Sequence, residues 1–349
     1  MATAANTAAS GAKARPSSVT GYPEGGLRFD WAMTALSALF LGGLWVDGWA
    51  HFHDKTDTSF FTPWHFVFYG AFGAVGLFLG YHQVRNVTRG YGFARALPAG
   101  YWLSLVGAAI FALSGVGDMV WHTLFGIEGG TEALMSPTHI GLSVGMGLVF
   151  TGALRATLWR ARQMDVPLRG WRNLGPAIVS AALLLSLLWF FTSYANPIGI
   201  PLAAKGMGGR FAQDEGVTGL LLSSAMLSGI MALLAWRWRL PFGAYTLLFS
   251  FSTALMTVLN DFYLLIPPAI IAGIVVDVLA TRLQPSRERT GQFILLLLLA
   301  PMVYFGSYFG ALALVAGIGW SVHVWTGSIV IAGFIGGLIG GLIIATSTQ

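Results

Sequence analysis

The chain has 349 residues, 55% of them hydrophobic and 9% charged, with a formal net charge of +5 and a mean hydropathy of +0.70. A soluble globular protein carries roughly 25% charged residues, so this composition excludes one and indicates a polytopic membrane protein with no separate soluble domain. Cysteine is absent, which excludes disulfides, thiolate metal sites and cysteine nucleophiles.

Residues 1–28, rich in Ala, Ser, Gly and Pro, read as a disordered cytoplasmic tail. They lack the apolar stretch of a signal peptide, so the first span is expected to act as an uncleaved insertion signal. Apolar runs of about 17–25 residues mark membrane spans. Ten are expected, near 30–51, 61–83, 99–124, 135–158, 175–195, 217–236, 243–260, 262–281, 291–317 and 322–345. Residues 243–281 read either as two spans or as one broken segment, because Pro267 and Pro268 interrupt them. The expected fold is all-α, a polytopic membrane helix bundle of about ten helices. Residues 29–158 form a four-helix half carrying the motifs described below, and residues 159–349 a scaffold half.

Arginines recur in alternate loops: Arg85, Arg89 and Arg95, then Arg155 to Arg172, then Arg237 and Arg239, then Arg282, Arg287 and Arg289. The intervening loops hold only Lys55, Lys205 and Arg210. Lys and Arg accumulate on the cytoplasmic side of short loops, so both termini are expected to be cytoplasmic. The basic residues form no single patch, so the pI of 9.6 gives no indication of nucleic acid binding. The expected partners are the lipid bilayer and other membrane subunits or further copies of the chain. Glycine tracks at Gly333, Gly337 and Gly341, at Gly336 and Gly340, at Gly76 and Gly80, and at Gly141 and Gly145 permit close helix approach, within the chain or between chains.

One pattern occurs twice. Asp47 and His51 are followed by Pro63 and His65, and Asp118 and His122 by Pro137 and His139. The offset is 71 residues for the acid and first histidine, and 74 for the Pro-x-His part. Each acid-histidine pair is spaced i, i+4 at the end of a span and so shares a helix face. Each second histidine opens the next span at the same surface, expected to be the extracytoplasmic one. Ionisable groups at span ends are costly and usually functional. Two imidazoles and a carboxylate with open positions suit copper, zinc or non-haem iron. Copper is favoured, because it is commonly handled outside the cytoplasm. The two triads could hold two metals or combine into one site. The competing readings are a polar network without metal, and haem or pigment ligation by a single histidine.

His53, Asp54, Asp57, Glu128 and Glu132 read as a solvated surface or a metal access route. Trp45, Trp49, Trp64 and Trp121 read as an interfacial belt or as the wall of a pocket. Asp277 is expected to pair with Arg282, and Asn196 and Asn260 stand where a degenerate copy of the motif would end. His323 is expected on the same face as the motifs, and His82 at the opposite one.

The Asp-x-x-x-His pattern with a further histidine after thirteen intervening residues resembles the membrane copper site in the C subunit of the particulate methane and ammonia monooxygenase family. That resemblance implies ligation by Asp47, His51 and His65. Asp118, His122 and His139, with sixteen residues between the histidines, match it less closely. The resemblance spans about twenty residues per site. A looser similarity links the chain to membrane hydrolases of the ceramidase-like superfamily, which hold zinc with His and Asp and add a serine, here Ser59, Ser114 or Ser136. The expected function is therefore oxidative chemistry at a copper centre, alone or as a subunit of a membrane oxidase. The alternatives are a zinc-dependent hydrolase, and a transporter or structural subunit.

Overall fold

The computed structural model describes residues 20–55, 61–126, 129–164 and 166–347. Among these residues the fold is all-helical, and nine helices are long and apolar enough to cross a membrane. The first half contains α1 (Gly26–Phe52), α2 (Pro63–Thr88), α3 (Trp102–Phe125), the short α4 (Thr131–Met135), α5 (Pro137–Phe150) and α6 (Gly152–Arg162). The second contains α7 (Gly170–Phe191), α8 (Arg210–Ala235), α9 (Ala244–Val258), α10 (Ile266–Leu283), α11 (Thr290–Val315) and α12 (Val322–Ser347). Helix α1 begins at Gly26, inside the segment expected to be disordered. Residues 1–19 of that tail lie outside the described residues. Helices α5 and α6 form one span broken at Thr151, whose hydroxyl donates back to the Gly147 carbonyl at 2.7 Å. Such back-bonding competes with the helical ladder and bends it.

The expected span at 243–260 is the short α9. Its 15 residues rise about 22 Å, less than the roughly 30 Å hydrocarbon layer. It nevertheless covers the depth of its parallel neighbour α7. At one end Trp171 Nε1 donates to the Phe242 carbonyl at 2.9 Å, midway Ser186 and Ser252 hydroxyls meet at 3.0 Å, and at the other end Asn260 donates to the Gly199 carbonyl at 2.8 Å. Helix α10 returns antiparallel, with Gly273 against the Thr246 backbone, so residues 243–281 are two packed helices.

Asp277 corrects the sequence reading. Its carboxylate accepts from the backbone N–H groups of Tyr245 and Thr246 at 3.2 and 2.9 Å and from the Thr246 hydroxyl at 2.6 Å. Helix α9 has no cap of its own at Gly243. An acid from α10 therefore satisfies its orphan donors and complements its dipole.

The bundle has two distinct ends. At one, Asp30 is buried between Arg160, which it pairs with, and the Tyr101 hydroxyl, which donates to it at 2.8 Å. The arginine-bearing loops lie at this end. At the other end α1 meets the start of α2, and α3 meets the start of α5.

Glycines set the closest helix approaches. A Cβ on Gly336 would fall on the Leu297 carbonyl oxygen of α11, and one on Gly145 would strike α3 at Gly107 and Phe111. Gly76, Gly80 and Gly341 have no neighbour within 4 Å of a built Cβ. Gly336→Ala is therefore expected to destabilise by about 1–3 kcal/mol through overpacking, whereas Gly80→Ala stays near neutral. Thermal unfolding in detergent separates the two.

Candidate metal centre

The Pro-x-His element is a helix start. Thr62 and Ser136 are N-caps, Pro63 and Pro137 take the first helical position, and the cap hydroxyls accept from the backbone N–H of His65 and His139 at 3.1 and 3.3 Å. Proline there loses no hydrogen bond and presets φ, and the cap bond fixes the backbone that carries the imidazole. Asp47 and His51 come from the last turns of α1, and Asp118 and His122 from the last turns of α3.

Each hairpin closes its own triad. Asp47 lies 3.9 Å from His51 Nε2 and 3.4 Å from His65 Nε2. Asp118 lies 3.3 Å from His122 Nε2 and 3.4 Å from His139 Nε2. Within each triad one ligand atom from every residue lies within 4.8 Å of the others, so each could hold a metal ion. The separations test that fit. Direct N–H···O bonds run about 2.7–3.2 Å, and these pairs are longer. Ligands about 2.1 Å from a shared tetrahedral ion stand about 3.4 Å apart, a spacing that three of the four carboxylate–imidazole pairs match, with Asp47 and His51 wider at 3.9 Å. The Asp118 side chain is 3% exposed and that of Asp47 14%.

Both triads line one cavity of about 540 Å³. Its walls are mostly apolar, with Leu44, Phe68, Leu142, Met146 and Phe190 prominent, and the second half adds Ser193, Tyr194 and Glu215. Tyr69, one turn beyond His65, lies at the seam. Its ring stands edge-on to His65 at 6.1 Å, and a Cβ on Gly115 of α3 would meet it at 2.9 Å. Tyr69 also lines the cavity into which both triads open. The sequence therefore placed the six residues, and the structure sorts them into two triads facing one chamber.

The surroundings of the triads differ. Thr138 donates to Asp118 Oδ1 at 2.8 Å, and the Ser136 hydroxyl contacts His139 Nδ1 at 2.6 Å. Trp64 occupies the position equivalent to Thr138 in the first repeat, and its indole donates instead to the Lys55 carbonyl at 3.1 Å. Sequence reasoning missed Thr62, Thr138 and Tyr69. The hydroxyl-Pro start was the readable signal for Thr62, and nothing local marked Tyr69. Partners that orient ligands affect metal affinity by 10–100-fold. Thr138→Val is thus expected to weaken metal binding at the second triad about tenfold and spare the first, as competition with a chelator measures.

Several other expected participants have structural roles. None of Trp45, Trp49, Trp64 and Trp121 lines the cavity: Trp45 donates to the Leu255 carbonyl at 2.6 Å, and Trp49 stacks on His53. His53 bonds Asp261 at 3.0 Å and so joins the two halves. That bond raises the imidazole pKa and lowers that of the carboxyl. Asn196 accepts from Ile198 N–H at 3.0 Å and holds its own loop. Ser114 packs against Gly141, Asp54 lines the cavity, and Glu132 is exposed on α4. His323 belongs to neither triad. Asp57, Ser59 and Glu128 lie outside the described residues.

No protein-family model, no curated protein and no solved structure matches this chain.

Proposed function

We propose that the chain is a membrane metalloprotein holding one ion in each Asp/His/His triad, Asp47/His51/His65 and Asp118/His122/His139, with copper the favoured metal. The observation that carries this reading is the pair of triads, each at ligand spacing, opening into one largely apolar chamber. The arginine-rich end lies opposite the triads, and the positive-inside rule supports an extracytoplasmic chamber in the cell membrane. Imidazole suits copper, and its one-electron chemistry would be supplied there when it is bound.

The chain's own residues do the rest. The carboxylates balance part of the ion's charge in a poorly hydrated site. The apolar walls exclude water and admit a small or lipidic substrate. Tyr69, between the triads, is placed to give or take a proton at its hydroxyl. The proposed activity is oxidative, by the chain alone or as a subunit of a membrane oxidase or oxygenase, with residues 159–349 as the supporting half. Glu215 in the cavity lining favours one rival, zinc hydrolysis, since a carboxylate there could serve as general base.

The deciding measurement is metal analysis of detergent-purified protein by mass spectrometry, with an EPR spectrum of the same sample. Two equivalents of copper with a nitrogen-ligated Cu(II) signal support the proposal. Zinc alone supports hydrolysis. No metal after reconstitution with copper, zinc and iron overturns both.

A further inference from the structure

The arginine-rich end contains a second large cavity that the metal reading does not use. Its volume is about 780 Å³, and its cationic lining is Arg28 of α1 with Arg85 of α2 and Arg89, which follows α2. Tyr91, Asn86 and His82 add polar atoms, and Glu24 is the acidic residue of the lining. Among the described residues none of the three arginines has a carboxylate within ion-pairing distance. Arg160, at the same end, is by contrast paired with the buried Asp30. Three exposed arginines in the lining of one cavity, against a single glutamate, offer guanidinium donors to a phosphate group.

The surface beside the cavity indicates which phosphate. Phe78, His82 and Arg85 form the stripe of α2 that lines it, continued by Arg89 at the helix end. The adjacent stripe, Leu77, Tyr81 and Val84, is exposed and largely apolar on a membrane-spanning helix. A ligand with its phosphate among the arginines would have its tails along that stripe.

We propose that this cavity binds the phosphate headgroup of an anionic phospholipid, with the acyl chains lying against Leu77, Tyr81 and Val84. The proposal does not depend on the metal centre. Residues 30 and 47 of α1, which mark the two ends, lie about 25 Å apart at 1.5 Å per residue. Anionic lipids concentrate in the cytoplasmic leaflet, where each Lys or Arg near the surface contributes attraction. The arginine-rich end would face that leaflet.

The test uses the full chain, delipidated in detergent and mixed with phosphatidylglycerol, phosphatidylcholine or inorganic phosphate, with lipid retention read by native mass spectrometry and stability by thermal unfolding. Phosphatidylglycerol is expected to bind and stabilise and phosphatidylcholine to do neither. Arg28→Gln and Arg85→Gln should each weaken phosphatidylglycerol binding about fivefold, while Arg172→Gln, at the same end but outside the cavity, should not. A lipid-free unfolding temperature equal to that of the unsubstituted chain certifies that the variants are folded. Inorganic phosphate matching the stabilisation by phosphatidylglycerol would make this a soluble-phosphate site and overturn the lipid assignment. Equal binding of both lipids, or insensitivity to Arg28→Gln and Arg85→Gln, would overturn the proposal altogether.

Discussion

Replacing His51 by Ala is expected to remove one of two bound metal equivalents, replacing His122 by Ala to remove the other, and the double variant to bind none. The expectation rests on the separation of the triads. His51, His65 and Asp47 belong to the α1–α2 hairpin, and His122, His139 and Asp118 to α3 and α5, with each ligand set complete within 4.8 Å. A three-ligand site that loses an imidazole keeps two donors, too few to hold the ion against a chelator. The second triad should bind more tightly, because Thr138 orients Asp118 and Ser136 contacts His139 Nδ1. Stoichiometry by mass spectrometry after chelator wash reads this directly. A single site built from both triads would instead lose all metal in either single variant. Unchanged metal content in both would end the metal reading.

The largest stability loss is expected from Arg160→Met. Asp30 is 2% exposed, and Arg160 and the Tyr101 hydroxyl are its polar partners beyond its own helix. Removing the cation leaves a buried carboxylate with one neutral donor, a change that costs about 3–5 kcal/mol when a buried pair loses one partner. Asp30→Asn in the Arg160→Met background removes the stranded charge and should recover part of that loss. Unfolding by denaturing detergent measures both variants. A loss under about 1 kcal/mol for Arg160→Met would put the pair in the range of a solvated surface interaction. Loss of stability without loss of metal from the surviving fold would show that the two ends of the bundle act independently.

The sequence made much of this legible because the lipid environment permits few structures. A backbone in hydrocarbon must satisfy its own hydrogen bonds, so apolar run lengths give helices at nearly the right places, and nine of the expected spans appear as helices long enough to cross. The six triad residues were also readable, since i, i+4 spacing and a hydroxyl-Pro helix start are local properties. What remained hidden was long-range. Asp277 looked like the partner of Arg282 five residues on, yet it caps α9, because an uncapped helix start from a distant segment offers three donors to it. Asn196 and Asn260 looked like relics of the motif, yet they tie loops together around Gly199.

The sequence by itself determined that this is a membrane helix bundle, and which two hairpin ends carry Asp and His at ligand spacing. Only the tertiary structure decided that each hairpin completes its own triad, that both triads open into one chamber with Tyr69 at the seam, and that a second cavity gathers Arg28, Arg85 and Arg89. The division has a physical cause. Helix periodicity and capping act over a few residues and are written in local pattern, whereas cavities arise from the packing of helices far apart in the chain, which spacing alone does not encode.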